Sequence, residues 1–190
     1  MKFGLTVGLN VTTLDGPAGT DVNTRQMLAG GVVAQADVLG PLSLQGQLLL
    51  EQKGAAVQEG STPIRYGAAY LSLPLDLRLQ GPSLGPVTPY GLVGGFGSLK
   101  LFERQRAGSR RVNLPLETNT SFFQRTDAGA TGGIGGTIAV GGGRRLNLAV
   151  RYAHGLVNVA RSIDDQPFDQ APFPNPAETR TWSIMLRLGL

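Results

Sequence analysis

Apolar side chains fall on every second position at both ends of the chain. Phe3, Leu5, Val7, Leu9 and Val11 alternate with Gly4, Thr6, Gly8, Asn10 and Thr12, while Trp182, Ile184, Leu186, Leu188 and Leu190 alternate with Ser183, Met185, Arg187 and Gly189. A period of two places successive side chains on opposite faces of an extended strand, so both ends read as two-faced strands. Two such strands can pair and close a sheet on itself, which removes the unpaired edges that invite aggregation. The pattern predicts a closed β-barrel.

Period-two segments bounded by turn residues lie near 2–14, 25–38, 41–53, 64–80, 87–102, 122–140, 144–158 and 179–190, which makes eight candidate strands in one domain spanning 1–190. In the third, Leu42, Leu44, Leu48 and Leu50 oppose Ser43, Gln45, Gln47, Glu51 and Lys53. The fourth sets Leu71, Leu73, Leu75, Leu77 and Leu79 against Tyr70, Ser72, Pro74, Asp76 and Arg78. Glycines at 30, 31, 94, 95 and 97 blur the faces of the second and fifth, and a bulge is expected near Ser98.

The joins alternate between long polar stretches and short turns around Gly40-Pro41, Gly81–Pro86 and Gly141–Gly143. In an up-and-down barrel this gathers the long loops at one rim and the short turns at the other, which is the pattern of outer-membrane barrels. Alternation does not itself say which face points inward. The polar face is rich in Gly, Ala, Ser and Thr with few charges, as a narrow cylinder requires, whereas a solvated exterior would carry dense Lys and Glu. The leucine face is therefore expected against lipid. The fold class expected is all-β: an eight-stranded antiparallel up-and-down transmembrane β-barrel.

Composition agrees. Only 16% of residues are charged and 41% are hydrophobic. Mean hydropathy is near zero, as in membrane barrels, and no apolar run is long enough for a transmembrane helix. Cysteine is absent, which excludes a disulfide scaffold, a thiol nucleophile and a zinc-thiolate site. The net charge of +4 comes from dispersed arginines, and aromatics reach only 6%, so no base-stacking surface for nucleic acid is expected. Met1 and Lys2 lead straight into a strand without a signal-peptide pattern, so an exported form is expected to be the mature chain.

Several stretches carry a family resemblance: FGLTVGLNVTTLDG at 3–16, LSLQGQLLLEQKGA at 42–55, YLSLPLDLRL at 70–79, PYGLVGG at 89–95, RTDAGATGGIGG at 125–136 and LNLAVRYAHGLVNV at 146–159. With the closing strand, they make the chain resemble the outer membrane β-barrel family common in Bacteroidota and often labelled porin-family, related in architecture to small OmpA- and OmpX-type barrels. The resemblance implies an outer-membrane location, lipid as the surrounding partner and passage through the barrel-assembly machinery. Members usually end on Phe or Tyr; here Leu190 stands there. Tyr66, Tyr70, Tyr90, Tyr152 and Trp182 are the candidate interfacial girdle.

Three functions compete on this pattern. The first is a monomeric, non-enzymatic barrel that displays surface loops, without cofactor or metal. A soluble or membrane barrel binding a small apolar ligand, as lipocalins do, is the second, and a lipid-modifying enzyme the third. Lipid A deacylases pair a His with a Ser two residues along the same strand face. Here the only histidine, His154, is followed at that position by Leu156, so no triad assembles. The glycines of 129–143 match neither dinucleotide nor phosphate-loop spacing, and the loop carboxylates Asp15, Asp21, Asp164, Asp165 and Asp169 do not match an EF-hand.

Two charged constellations remain. Glu51, Lys53, Asp76, Arg78, Asp127, Arg151 and Arg187 are expected to point inward, where neighbouring strands pair opposite signs into a salt-bridged plug. Arg104, Arg106, Arg110 and Arg111, in the connection after the fifth strand, form a candidate site for lipopolysaccharide phosphates or another surface polyanion, because guanidinium groups grip phosphate in bidentate fashion.

Overall fold

The computed structural model describes residues 1–15, 25–59, 62–107, 110–114, 124–157 and 178–189. The strands are β1 Lys2–Asp15, β2 Arg25–Leu39, β3 Leu42–Glu59, β4 Thr62–Gln80, β5 Val87–Ala107, β6 Arg110–Leu114, β7 Thr126–Gly141, β8 Arg144–Gly155 and β9 Glu178–Gly189. All but β6 form a closed, eight-stranded antiparallel barrel. The seam is the pairing of β1 with β9, which runs in register from Gly4 opposite Gly189 to Asp15 opposite Glu178. No helix occurs among the described residues.

Tight turns close the short-turn rim. Gly40 (φ +52°) lies between β2 and β3, and Gly141, Gly142 and Gly143 (φ +85°, +59° and +75°) lie at the β7–β8 turn. L side chains rarely adopt this region, which is why glycine punctuates the two joins.

The opposite end departs from expectation. β5 continues five residues past the predicted boundary at 102, and β6 folds back on it from Glu103 opposite Leu114 to Ala107 opposite Arg110. As far as Leu99, β5 pairs with β7 instead. The end of β5 stays paired on its other side with β4, from Phe102 opposite Ala69 to Ala107 opposite Ile64, so β6 is the edge strand of a sheet that extends beyond the ring. Neither segment needs one face for lipid, so neither shows the alternation that marks the other strands. β7 begins at Thr126, with the expected start at 122 lying outside the described residues, and β8 stops at Gly155.

Side-chain polarity follows the leucine pattern. Leu71, Leu73, Leu75, Leu77 and Leu79 face outward on β4, while Ser72, Asp76 and Arg78 are buried. The same holds around the ring, from Phe3, Leu5 and Val7 on β1 to Trp182, Ile184 and Leu186 on β9. So extensive an apolar belt exceeds what a soluble monomer exposes and fits a bilayer. The wall encloses mainly polar groups, which removes the apolar interior that a soluble ligand carrier needs. Met27, Val33, Leu49, Leu92, Phe96 and Met185 are apolar exceptions that face the lumen.

Two register details correct the sequence reading. Ser98 pairs regularly with Ser72 and Asp127; the bulge lies three residues on, where Ala69 faces Phe102 and Tyr70 faces Lys100, leaving Leu101 as the extra residue. Tyr70 and Tyr90 are buried inside the barrel and belong to no girdle, because each shares the parity of the polar face of its strand. Tyr152 and Trp182 do lie together on the outside, with ring centroids 4.9 Å apart. The side chain of Tyr66 lies outside the described residues.

Glycine serves close packing within the wall. A Cβ at Gly94 would collide with the backbone oxygen of Leu75 in β4, so no larger residue fits there without moving the strand.

Candidate functional site

Among the described residues, chemistry-bearing side chains converge in the charged lumen, and the alternation of the strands builds it. The inward positions of β3, β4, β7, β8 and β9, apart from glycines such as those of β7, send side chains toward a space only wide enough for side chains to fill. Buried charges there need partners at the right height.

Those partners come from across the ring. Lys53 on β3 donates to Asp127 Oδ2 on β7 at 2.7 Å, over two intervening strands, and Thr179 on β9 donates to the same oxygen at 3.0 Å. The rings of Tyr70 and Phe96 flank the Lys53 ammonium, with centroids at 5.3 and 4.8 Å. Arg151 on β8 reaches Asp76 on β4 at 3.5 Å, again over two strands, and Thr131 donates to the other Asp76 oxygen. The expectation that neighbouring strands supply the opposite sign is therefore corrected. Adjacent strands place like or neutral residues opposite each other, such as Asp76 beside Gln45, and long side chains find their counter-ions by spanning the lumen.

Glu51 has no cationic partner among the described residues. Ser72 donates to its Oε2 at 2.7 Å and Asn10 to its Oε1 at 3.5 Å. Ser72 and Ser98 share a further hydrogen bond of 2.7 Å across the β4–β5 pair. Arg78 is the hub of the short-turn end. Its Nη1 donates to Gln35 Oε1 at 3.1 Å and Asn147 Oδ1 at 3.2 Å, its Nη2 to Thr137 Oγ1 at 2.6 Å, and its guanidinium lies 3.6 Å from the Tyr90 ring centroid. Arg187 is buried nearby, and its Nε has no hydrogen-bond partner.

One ion pair escaped the sequence reading. Lys100 and Glu103 are both buried and lie 2.8 Å apart. Residues three apart on a regular strand face opposite ways, and the bulge at Leu101 turns both inward. The parity of Lys100 with Phe96 and Ser98 was a readable signal; nothing in the sequence locates the bulge. Gln35, Thr137 and Asn147 were also missed, since neutral residues on a barrel's inner face carry no mark of a role.

The other candidates sit elsewhere. Arg104 and Arg106 belong to β5, and Arg110 and Arg111 to β6, with Arg106 directly opposite Arg111 in register. Their side chains lie outside the described residues, as do Asp21, Asp164, Asp165, Asp169 and the side chain of Asp15. His154 is half-buried on the outer face of β8, 3.6 Å from Glu178 and stacked on Tyr152 at 6.3 Å, with Leu156 exposed beyond it. Among the described residues no cluster of His, Asp and Glu has the makings of a metal site.

A family model described as an outer membrane protein beta-barrel domain matches residues 1–161. Among curated proteins, none matches the sequence significantly. Among solved structures, the chain is similar to Neisserial surface protein A (14% identity, TM-score 0.51, covering 98% of this chain and 96% of that one). It is also similar to the outer membrane protein OprG from Pseudomonas aeruginosa (13% identity, TM-score 0.50, covering 99% and 94%). At such identities the likeness is one of fold.

Proposed function

Because this chain belongs to the outer membrane protein β-barrel family and is a protein of the bacterial outer membrane, we propose that it acts there as a monomeric, non-enzymatic barrel. In this reading a polar plug closes the lumen, and the long-loop rim serves surface interaction. The observation that carries the plug is the spanning of the lumen by Lys53–Asp127 and Arg151–Asp76 at successive heights. Between them, the cavity bounded by Glu51, Lys53, Thr131 and Arg151 measures about 20 Å³, room for a single water and no more. Lipid-modifying chemistry is disfavoured because His154 has Leu156, and no hydroxyl, at the position a nucleophile would take.

Purified barrel in planar bilayers is expected to give no stable, porin-sized current, because paired side chains interrupt the water path. Regular large conductance steps from the monomer would overturn the plug.

For the surface role, the β5–β6 ribbon gathers Arg104, Arg106, Arg110 and Arg111 into two paired strands. Like charges directly opposite in a ribbon repel, and a bound polyanion such as lipopolysaccharide phosphate relieves that repulsion. Binding to lipopolysaccharide is expected to weaken as salt rises, since exposed charges are screened over about 8–10 Å. Changing all four arginines to Gln should abolish most of it while leaving folding in detergent unaltered. Unchanged binding in that variant would remove the ribbon from the surface role.

A further inference from the structure

Charge in the lumen is unevenly distributed along the barrel axis. Three ion pairs, Lys53–Asp127, Lys100–Glu103 and Arg151–Asp76, neutralise themselves, and Glu51 is held by Ser72 and Asn10. Two buried arginines, Arg78 and Arg187, then stand at the short-turn end without a carboxylate of a described residue to themselves, because Asp76, whose charge reaches Arg187, is already held by Arg151 and Thr131. Arg78 lies six residues beyond Ser72 on β4, about 20 Å of extended chain, so Glu51 is too far away to serve it.

Both arginines line a cavity of about 130 Å³ at that rim, with Lys2, Gln35, Arg145 and Asn147 among the other walls. No carboxylate of a described residue lines it. Lys2 is already matched by Asp37 at 2.8 Å, outside the cavity. Arg78 is held in place by neutral acceptors alone, the oxygens of Gln35, Asn147 and Thr137 and the face of Tyr90. Arg187 is only 7% exposed, its Nε has no partner, and it makes no ion pair with a described residue. A guanidinium buried without a counter-charge is costly, and evolution more often pairs or removes it.

We propose that this cavity is a seat for a small oxyanion, a phosphate or carboxylate group that enters from the aqueous space at the short-turn rim, with Arg187 and Arg78 as its principal donors. Guanidinium groups bind such anions in bidentate fashion, and the neutral acceptors keep Arg78 oriented while leaving the charge deficit unfilled. The volume approaches the roughly 150 Å³ of a cavity that admits a benzene-sized molecule. Arg145, exposed at the mouth, adds a third positive charge at the point of entry. Short turns of outer-membrane barrels face the periplasm, so the anion comes from that compartment. The seat is independent of whether the lumen above it conducts.

The test uses inorganic phosphate and the full chain refolded in an uncharged detergent, with chloride holding ionic strength constant. Phosphate is expected to bind saturably by calorimetry and to raise the urea midpoint of unfolding. Arg187→Gln is expected to weaken that binding about tenfold or more, as loss of a charged hydrogen-bonding partner does. The same variant should be at least as stable as the parent in phosphate-free buffer, because it removes an uncompensated charge; a residue with a merely structural role would lower stability instead. Arg145→Gln, on the exposed rim, should fold normally and bind phosphate more weakly than the parent. No saturable response, a response that chloride alone reproduces, or parental phosphate affinity in both variants would overturn the proposal.

Discussion

Asp127→Ala is expected to destabilise the barrel by about 3–5 kcal/mol, the cost of leaving one partner of a buried ion pair uncompensated. Lys53 and Asp127 are 2.7 Å apart, with side chains 6% and 0% exposed, so the abandoned ammonium has little water to turn to. Its remaining neighbours are the faces of Tyr70 and Phe96, which soften the loss without replacing a carboxylate. The double change Lys53→Met with Asp127→Leu should recover most of the stability, because apolar residues of similar volume often match a buried ion pair. Urea unfolding of the parent, Lys53→Met, Asp127→Leu and the double variant in lipid vesicles gives the coupling directly. Additive losses would mean that the two groups are separately hydrated and that the lumen at this height is wet.

Leu75→Arg is expected to have the next largest effect, roughly 2–4 kcal/mol, the penalty for Arg on the lipid face of a barrel near the bilayer midplane. Leu75 points outward in the middle of the lipid-facing leucine stripe of β4, flanked by Gly46 on β3 and Gly95 on β5. Neither neighbour offers a polar group for the guanidinium. The control is the same substitution at Leu84, in the β4–β5 turn, where the side chain is exposed at the aqueous rim. Folding yields into lipid vesicles should fall for Leu75→Arg and stay at the parental level for Leu84→Arg. Equal yields would contradict the outward polarity of the leucine face.

The pairing of lumen charges was only half legible. Glu51, Lys53, Asp76, Arg78, Asp127, Arg151 and Arg187 all face inward as their parity on each strand requires, yet their partners could not be read from strand adjacency. A charge finds its counter-ion at equal height, and height depends on the stagger accumulated from strand to strand around the closed ring. Lys53 meets Asp127, and Arg151 meets Asp76, only once every intervening register is set. Tyr70 and Tyr90 show the opposite case: their strand parity was readable, and the general association of tyrosine with membrane interfaces pointed the wrong way.

By itself, the sequence determined the architecture of the wall: an all-β barrel of eight strands, its leucine face toward lipid, its short turns at one rim and its long connections at the other. Alternation is a local property, and in a membrane barrel each side chain of the wall has two environments to choose between, so a period of two states the answer strand by strand. Only the tertiary structure decided the bulge at Leu101 that turns Glu103 toward Lys100, the return of β6 onto β5, the ion pairs that span the lumen and the positive cavity around Arg78 and Arg187. Each of these depends on which residues lie level across the ring, a consequence of closure and shear that no single strand encodes.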